Sequence, residues 1–200
     1  MPETGPETDP GTTQDTLLGG RVTIFQPVTG YRAAIDPVLL AAAVPAAAGE
    51  KVLNVGSGTG AAVLSLAARL AGVRVTGLET ASDLVRLAGM SAKESGMEGR
   101  VLFIEGNLLS PPGGMVPGGF DHVMANPPYG EAGTGMEPSG TRRAAYVQSE
   151  SSLSEGGGAA FFAAGPQGSV TLIHRAERLP EILTEIAAAG GGSVVVFPLW

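Results

Sequence analysis

Lys51-Val52-Leu53-Asn54-Val55-Gly56-Ser57-Gly58-Thr59-Gly60-Ala61 is the stretch on which the reading of the fold turns. Five strand-forming residues run into three glycines at alternate positions, and an apolar helical run, Ala61 to Leu70, follows. A short apolar strand closed by a Gly-rich turn and a helix is the opening of a βαβ unit. The glycines let the backbone bend sharply and approach a ligand closely. The helix behind them presents unpaired N–H groups and the positive end of its dipole. Glu79 lies about 20 residues further on, where a carboxylate can accept both hydroxyls of a ribose.

The pattern repeats on either side. Val73 to Leu78, Val101 to Glu105, Phe120 to Ala125 and Ser169 to Ile173 read as further strands, and Ser193 to Phe197 as a sixth. Between them lie helical stretches. Asp36-Pro37 predicts a helix start, with Asp36 as the cap and Pro37 at the first helical position. Thr80 and Asp83 have the spacing of a capping box. A helix is expected over 151–164, weakened by Gly156-Gly157-Gly158 by about 1 kcal/mol per glycine relative to alanine. Leu179 to Ala189 is another, with Leu179, Ile182, Leu183 and Ile186 on one face. Strands alternating with helices predict an α/β fold: a mostly parallel twisted sheet with helices on both faces. Ligands of such sheets bind beyond the carboxyl ends of the strands. Gly56 to Gly60, Glu79, Asn107 and Asn126 all fall at such ends.

Composition narrows the function. The 200 residues suit one domain with a real core. The absence of cysteine excludes disulfides and thiolate metal sites, and two isolated histidines predict no metal centre. No apolar run reaches the ~20 residues that cross a bilayer. Residues 1–15, acidic and rich in Pro, Thr and Gly, read as a disordered tail without signal-peptide character, with the domain over 16–200. A cytoplasmic protein with no membrane contact is expected. The formal net charge of −7 counts against broad, non-specific nucleic-acid binding, which needs a basic field.

The Gly-rich turn alone does not name its ligand, because Gly56-x-Gly58-x-x-Ala61 also suits a nicotinamide dinucleotide. Asn126-Pro127-Pro128-Tyr129, at the end of the fourth of these strands, decides between them. An adenine or amide NH2 is a poor nucleophile because its lone pair is delocalised. The Asn126 side-chain oxygen and the Pro127 carbonyl can accept its two N–H bonds, orient the nitrogen and stabilise the charge that develops on it. Tyr129 can stack on a flat acceptor. The prolines also force the chain out of the sheet at this point.

From about Leu17 to Trp200 the chain resembles the bacterial tRNA adenine-N6-methyltransferases that modify the valine tRNA anticodon loop. These belong with the small-domain methyltransferases, which include the glutamine-N5 methyltransferases of release factors. The resemblance is carried by Asn126 to Tyr129, by Gln26-Pro27-Val28-Thr29-Gly30-Tyr31-Arg32 with Asp36-Pro37-Val38-Leu39-Leu40, and by Leu172-Ile173-His174-Arg175-Ala176-Glu177-Arg178-Leu179. It implies a Rossmann-like class I methyltransferase that uses S-adenosylmethionine and methylates an exocyclic nitrogen, adenine N6 of tRNA first. A protein glutamine or small-molecule acceptor is the alternative.

By position, the resemblance assigns Asn54, Gly56, Ser57 and Gly58 to the methionine part of the cofactor and Glu79 to its ribose. Asn107 and Leu108 flank the adenine, Arg32 and Asp36 become candidate contacts from the preceding segment, and Asn126, Pro127, Pro128 and Tyr129 hold the target nitrogen, with Asn126 also counted among the cofactor-binding residues. Arg142 and Arg143 could supply local phosphate contacts, and His174 reads as structural.

Three departures from the family bear on activity. Asn54 and Asn107 stand where the family usually has aspartate. An amide keeps an acceptor but loses the charge, which predicts cofactor binding weaker by about 1–3 kcal/mol, or ten- to a hundredfold. The family's last, antiparallel strand has no counterpart here, and an open sheet edge there would favour self-association. These departures keep a degenerate domain with little or no cofactor binding as the competing reading.

Overall fold

The computed structural model describes residues 11–30, 32–113, 115–127, 160–161 and 163–199. The expectations placed on 1–10, 128–159 and 200, including those for Pro128, Tyr129, Arg142, Arg143 and the Gly156–Gly158 run, lie outside the described residues.

Among the described residues, eleven strands and helices follow in chain order. They are β1 (Thr12–Leu17), β2 (Val22–Pro27), α1 (Asp36–Ala43), β3 (Lys51–Val55), α2 (Ala61–Arg69), β4 (Arg74–Glu79), α3 (Ser82–Glu94), β5 (Val101–Glu105), β6 (Phe120–Ala125), β7 (Ala164–Leu172) and α4 (Leu179–Ala188). The five strands β5-β4-β3-β6-β7 form one sheet in that order, every neighbouring pair parallel. The order reverses at β3, between β4 and β6. A crevice at the carboxyl edge of such a sheet is where its ligands bind.

Alternation along the strands builds the two faces. Val52, Val75 and Met124 join one core cluster with Leu40, Val63, Leu64 and Leu66 of α1 and α2. Leu53, Leu78 and Val123 point the other way, into a second cluster with Leu108, Ala160 and Ala163. A parallel sheet covered on both faces needs apolar residues at successive positions, as in Val52-Leu53 and Val123-Met124. Each such side chain taken fully out of water contributes about 1.5–3 kcal/mol.

The carbonyls at the end of α2 are capped by arginines. Arg21 donates to the Ala68 carbonyl, and Arg100 donates to those of Ala67 and Leu70. This satisfies groups that have no partner within the helix.

The amino-terminal region departs from expectation. Residues 12–15 are not a tail: β1 and β2 form an antiparallel hairpin, Thr12 opposite Pro27 and Leu17 opposite Val22. Its inner strand buries Val22, Ile24 and Phe25, and Phe25 packs against Leu84 and Leu87 of α3. Two serines one helical turn apart replace a neighbouring strand. Ser91 Oγ accepts from the Phe25 N–H (2.9 Å) and donates to the Leu87 carbonyl (2.7 Å). Ser95 Oγ accepts from the Thr23 N–H and donates to the Thr23 carbonyl. The hydroxyls satisfy β2 backbone groups that would otherwise be stranded.

Three local readings change. Asp36 is the first residue of α1 rather than its cap, and Ile35 precedes it without a side-chain cap bond. The capping-box spacing of Thr80 and Asp83 is not used: α3 begins at Ser82, again with no side-chain cap. Residues 193–197 form no strand; Val195 and Phe197 are both 70% exposed. A run of β-branched residues becomes a strand only when a neighbour accepts its backbone bonds. None does so here among the described residues. β7 starts at Ala164, five residues before the expected Ser169, because a bulge after Phe120 admits Gly165 to Gly168 before the register resumes at His122 and Ser169.

Candidate functional site

The carboxyl ends of β3 and β6 lie side by side, Val55 opposite Ala125. The Gly-rich turn leaves β3 there, and Asn126 leaves β6. Pro37, Asn54, Gly56, Ser57, Ala61, Ala62 and Asn126 line one cleft. Three parts of the sequence that are far apart in the chain are thus brought together: the start of α1, the turn into α2, and the motif after β6.

The turn is fixed by backbone and side-chain bonds. Gly56, Gly58 and Gly60 all have positive φ (67°, 54° and 87°), which L side chains rarely adopt. The Ser57 N–H donates to the Leu78 carbonyl (3.0 Å), and the Gly60 N–H to the Ser57 carbonyl (2.9 Å). Glu79, at the end of β4, accepts from the Gly58 N–H through Oε2 (2.8 Å). Its Oε1 accepts from the N–H groups of Thr80 and Ala81. The carboxylate therefore sits at the junction of two strand ends, beside the entrance of α2.

Asn54 is 2% exposed. Its Nδ2 donates to the Met124 carbonyl (3.1 Å), locking β3 to β6 and fixing the orientation of the amide. Oδ1 is left buried without a partner, as is the hydroxyl of Ser57. A buried acceptor without a donor costs about 1–3 kcal/mol. Both residues line the cleft, so a ligand carrying N–H or O–H donors would recover that cost. This set of acceptors suits an amino-acid amine together with a ribose at Glu79.

The remaining expected residues are spread around this centre. Asn107 and Leu108 follow β5. Leu108 is buried, and Asn107 Oδ1 accepts from the Leu109 N–H (2.9 Å), forming a tight turn at the strand end. Asp36 opens α1, next to the cleft residue Pro37. Arg32 is committed elsewhere. Its guanidinium pairs with Asp15 (2.8 Å) and donates to the Thr13 hydroxyl and the Pro27 carbonyl. It braces the segment after β2 against the hairpin and is not among the residues lining the cleft.

Asp15 also accepts from Gln26, and the Gln26 bond first, then the Thr13 hydroxyl and Arg32, hold its carboxyl below the usual range. Gln26 is buried, and its Oε1 accepts from the Ala33 N–H (2.7 Å). Gln26 and Asp15 are anchors that the sequence did not single out; the β-branched threonines at 12, 13 and 16 were the available sign of a strand. His174 follows β7, and its Nδ1 accepts from the Arg175 N–H. Burial, then the Arg178 charge, push its pKa down. His122 lies toward the opposite end of the sheet, between Ser169 Oγ and Glu50 Oε2 at 2.8 Å each.

The sequence profile of the methyltransferase small domain matches residues 33–181. The release factor glutamine methyltransferase of Chlorobaculum tepidum is 36% identical over 92 residues, 46% of this chain and 31% of the relative. That of Deinococcus radiodurans is 38% identical over 79 residues, 40% of this chain and 26% of the relative. The chain thus matches less than a third of the length of these curated relatives. Among solved structures, a predicted O-methyltransferase from Agrobacterium tumefaciens superposes with a TM-score of 0.60 at 23% identity, covering 76% of this chain and 67% of that one.

Proposed function

The chain belongs to the methyltransferase small domain family, with its Rossmann-like class I fold and S-adenosylmethionine as cofactor, and from that premise we propose that it N-methylates a planar amide or exocyclic amine at Asn126-Pro127. The observation that carries this reading is the convergence of Asn126 with the orphaned acceptors of Asn54 and Ser57 in one cleft. When bound, the cofactor supplies an electrophilic methyl group. The chain's own residues hold and orient. Asn54 Oδ1 and Ser57 Oγ receive donors of the methionine part, and Glu79 receives the ribose hydroxyls. Leu108 and Asn107 border the adenine. Asn126 and the Pro127 carbonyl accept the two N–H bonds of the target nitrogen, fixing its direction and stabilising the charge it gains. Pro128 and Tyr129 complete the motif.

Two acceptors share this chemistry. A glutamine side-chain amide of a protein is favoured by the names of the curated relatives and by the net charge of −7, which suits a protein partner better than a polyanion. Adenine N6 of tRNA is the second reading, supported by the segments Gln26 to Leu40 and Leu172 to Leu179. Methyl transfer from labelled S-adenosylmethionine to a glutamine-bearing release factor, run beside unmodified tRNA, tests both. Label in the factor supports the first reading, and label in the tRNA replaces it with the second. Label in neither, with positive-control enzymes active on both acceptors, rejects the proposed activity.

A further inference from the structure

Phe103 lies in β5, directly opposite Gly77 of β4. Its ring reaches across Gly77 to the underside of the Gly-rich turn. A Cβ built on Gly77 would stand 2.6 Å from the ring's Cδ1 and 2.8 Å from the Ser57 Cβ. A Cβ built on Gly60 would stand 2.7 Å from the ring's Cζ, with the Ala88 Cβ at 3.3 Å. Real Cβ atoms do not approach so closely, so the ring fills the space that two glycines leave open. Gly77 is in the middle of a buried strand, where a glycine forfeits side-chain packing and marks close approach of another group. Here that group is an aromatic ring from the next strand.

The turn above the ring carries the cleft's polar atoms. From β4 it is held at two points, the Ser57 N–H on the Leu78 carbonyl and the Gly58 N–H on Glu79. The ring of Phe103 adds a third, steric support: it fills the space at Gly60 and lies against Gly77, which Ser57 also faces. Ligand-holding atoms lose their value when displaced by fractions of an ångström, so a rigid support beneath them matters for binding.

We propose that Phe103 is a positioning residue for cofactor binding: its ring, seated on Gly77, sets the height of the Ser57–Gly60 turn. The inference rests on the cofactor assignment of that turn given above. A flexible side chain of similar bulk fills much of the volume without supplying a flat support, so Phe103→Leu separates positioning from core filling. Gly77→Ala tests the same seat from the other side, by pushing the ring and Ser57 apart.

The test uses the full chain and S-adenosylhomocysteine as the probe. Calorimetric affinity, thermal midpoint and amide exchange at Gly58 and Gly60 are measured for the wild type, Phe103→Leu and Gly77→Ala. The expected result is affinity weaker by about tenfold in both variants, faster exchange at Gly58 and Gly60, and a thermal midpoint for Phe103→Leu within about 5 °C of wild type. Wild-type affinity and exchange in a folded Phe103→Leu protein would overturn the inference while leaving the cofactor assignment intact. Should the wild type itself fail to bind the probe, the cofactor assignment falls, and with it the proposed role in cofactor binding. A fall in thermal midpoint with unchanged exchange at the two glycines would also overturn it, since a core residue alone produces that pattern.

Discussion

Glu79 Oε2 accepts the Gly58 N–H at 2.8 Å, so the carboxylate that ends β4 also holds the turn that follows β3. Two neighbouring strand ends are thereby fixed to each other at the point where the cleft opens. Replacing the acid with its amide tests the bond. Glu79→Gln keeps the size but loses the charge, and one of its two terminal atoms becomes a donor facing backbone N–H groups. Charge-assisted bonds contribute about 1.5–3 kcal/mol. Cofactor affinity is expected to fall ten- to a hundredfold by calorimetry, with the protein still folded.

Asn126 separates binding from transfer. Asn126→Ala removes the side-chain acceptor proposed for the target nitrogen and changes no residue of the Gly-rich turn. Methyl transfer is expected to fall by about 10²–10³-fold, the usual cost of losing one positioned group in the transition state. Binding of S-adenosylhomocysteine should change by less than about tenfold. A variant that transfers methyl at the wild-type rate would remove Asn126 from the reaction.

Asn54→Asp tests the exchange of charge for an amide. The Nδ2 that donates to the Met124 carbonyl becomes an oxygen facing an oxygen at about the same place. The free protein should lose about 1–3 kcal/mol in urea unfolding. Saturating cofactor should recover part of that loss, because ligand binding adds stability to the folded state alone. A larger stabilisation by cofactor in the variant than in wild type is the expected reading.

Ser91→Ala strands the buried Phe25 N–H. The expected cost is about 1–3 kcal/mol, larger than for Ser95→Ala, whose bonds to Thr23 are only partly buried. Equal denaturation midpoints for wild type and Ser91→Ala would show that α3 does not serve as the neighbour of β2.

Asp15 gives the hairpin a pH dependence. Its carboxyl is held below the usual range by Gln26 first, with Thr13 and Arg32 adding to the effect. The folded state therefore prefers the ionised form. That stability is fully present above the unfolded value, near pH 4, and is lost as pH falls through the lower folded value. Wild type should exceed Asp15→Asn in thermal midpoint by a constant margin from about pH 5 to 8, and the margin should close in more acidic buffer. The side chain is well exposed, so a difference of only a few degrees is expected.

The central strands, the Gly-rich turn and the position of Asn126 were legible in the sequence because each depends on short-range pattern. Val52-Leu53 and Val123-Met124 are apolar at adjacent positions, as a strand covered on both faces must be, and glycines at 56, 58 and 60 fit only a tight turn. The same local logic failed where the outcome depends on a distant partner. Thr12 to Leu17 becomes a strand because Val22 to Pro27 pairs with it, and α3 then shields that second strand with two serine hydroxyls. Val194-Val195-Val196-Phe197 has stronger strand character yet pairs with nothing among the described residues. Arg32 carries a charge that suits a ligand, but Asp15, seventeen residues earlier, takes it first. The sequence by itself determined which residues could form a parallel sheet and carry the chemistry at its edge. Only the tertiary structure decided which strands found neighbours, which charges were already paired, and which buried polar atoms, those of Asn54 and Ser57 in the cleft among them, were left without a partner. Backbone and charge are satisfied by whatever lies nearby in space, and spacing along the chain does not show that neighbour.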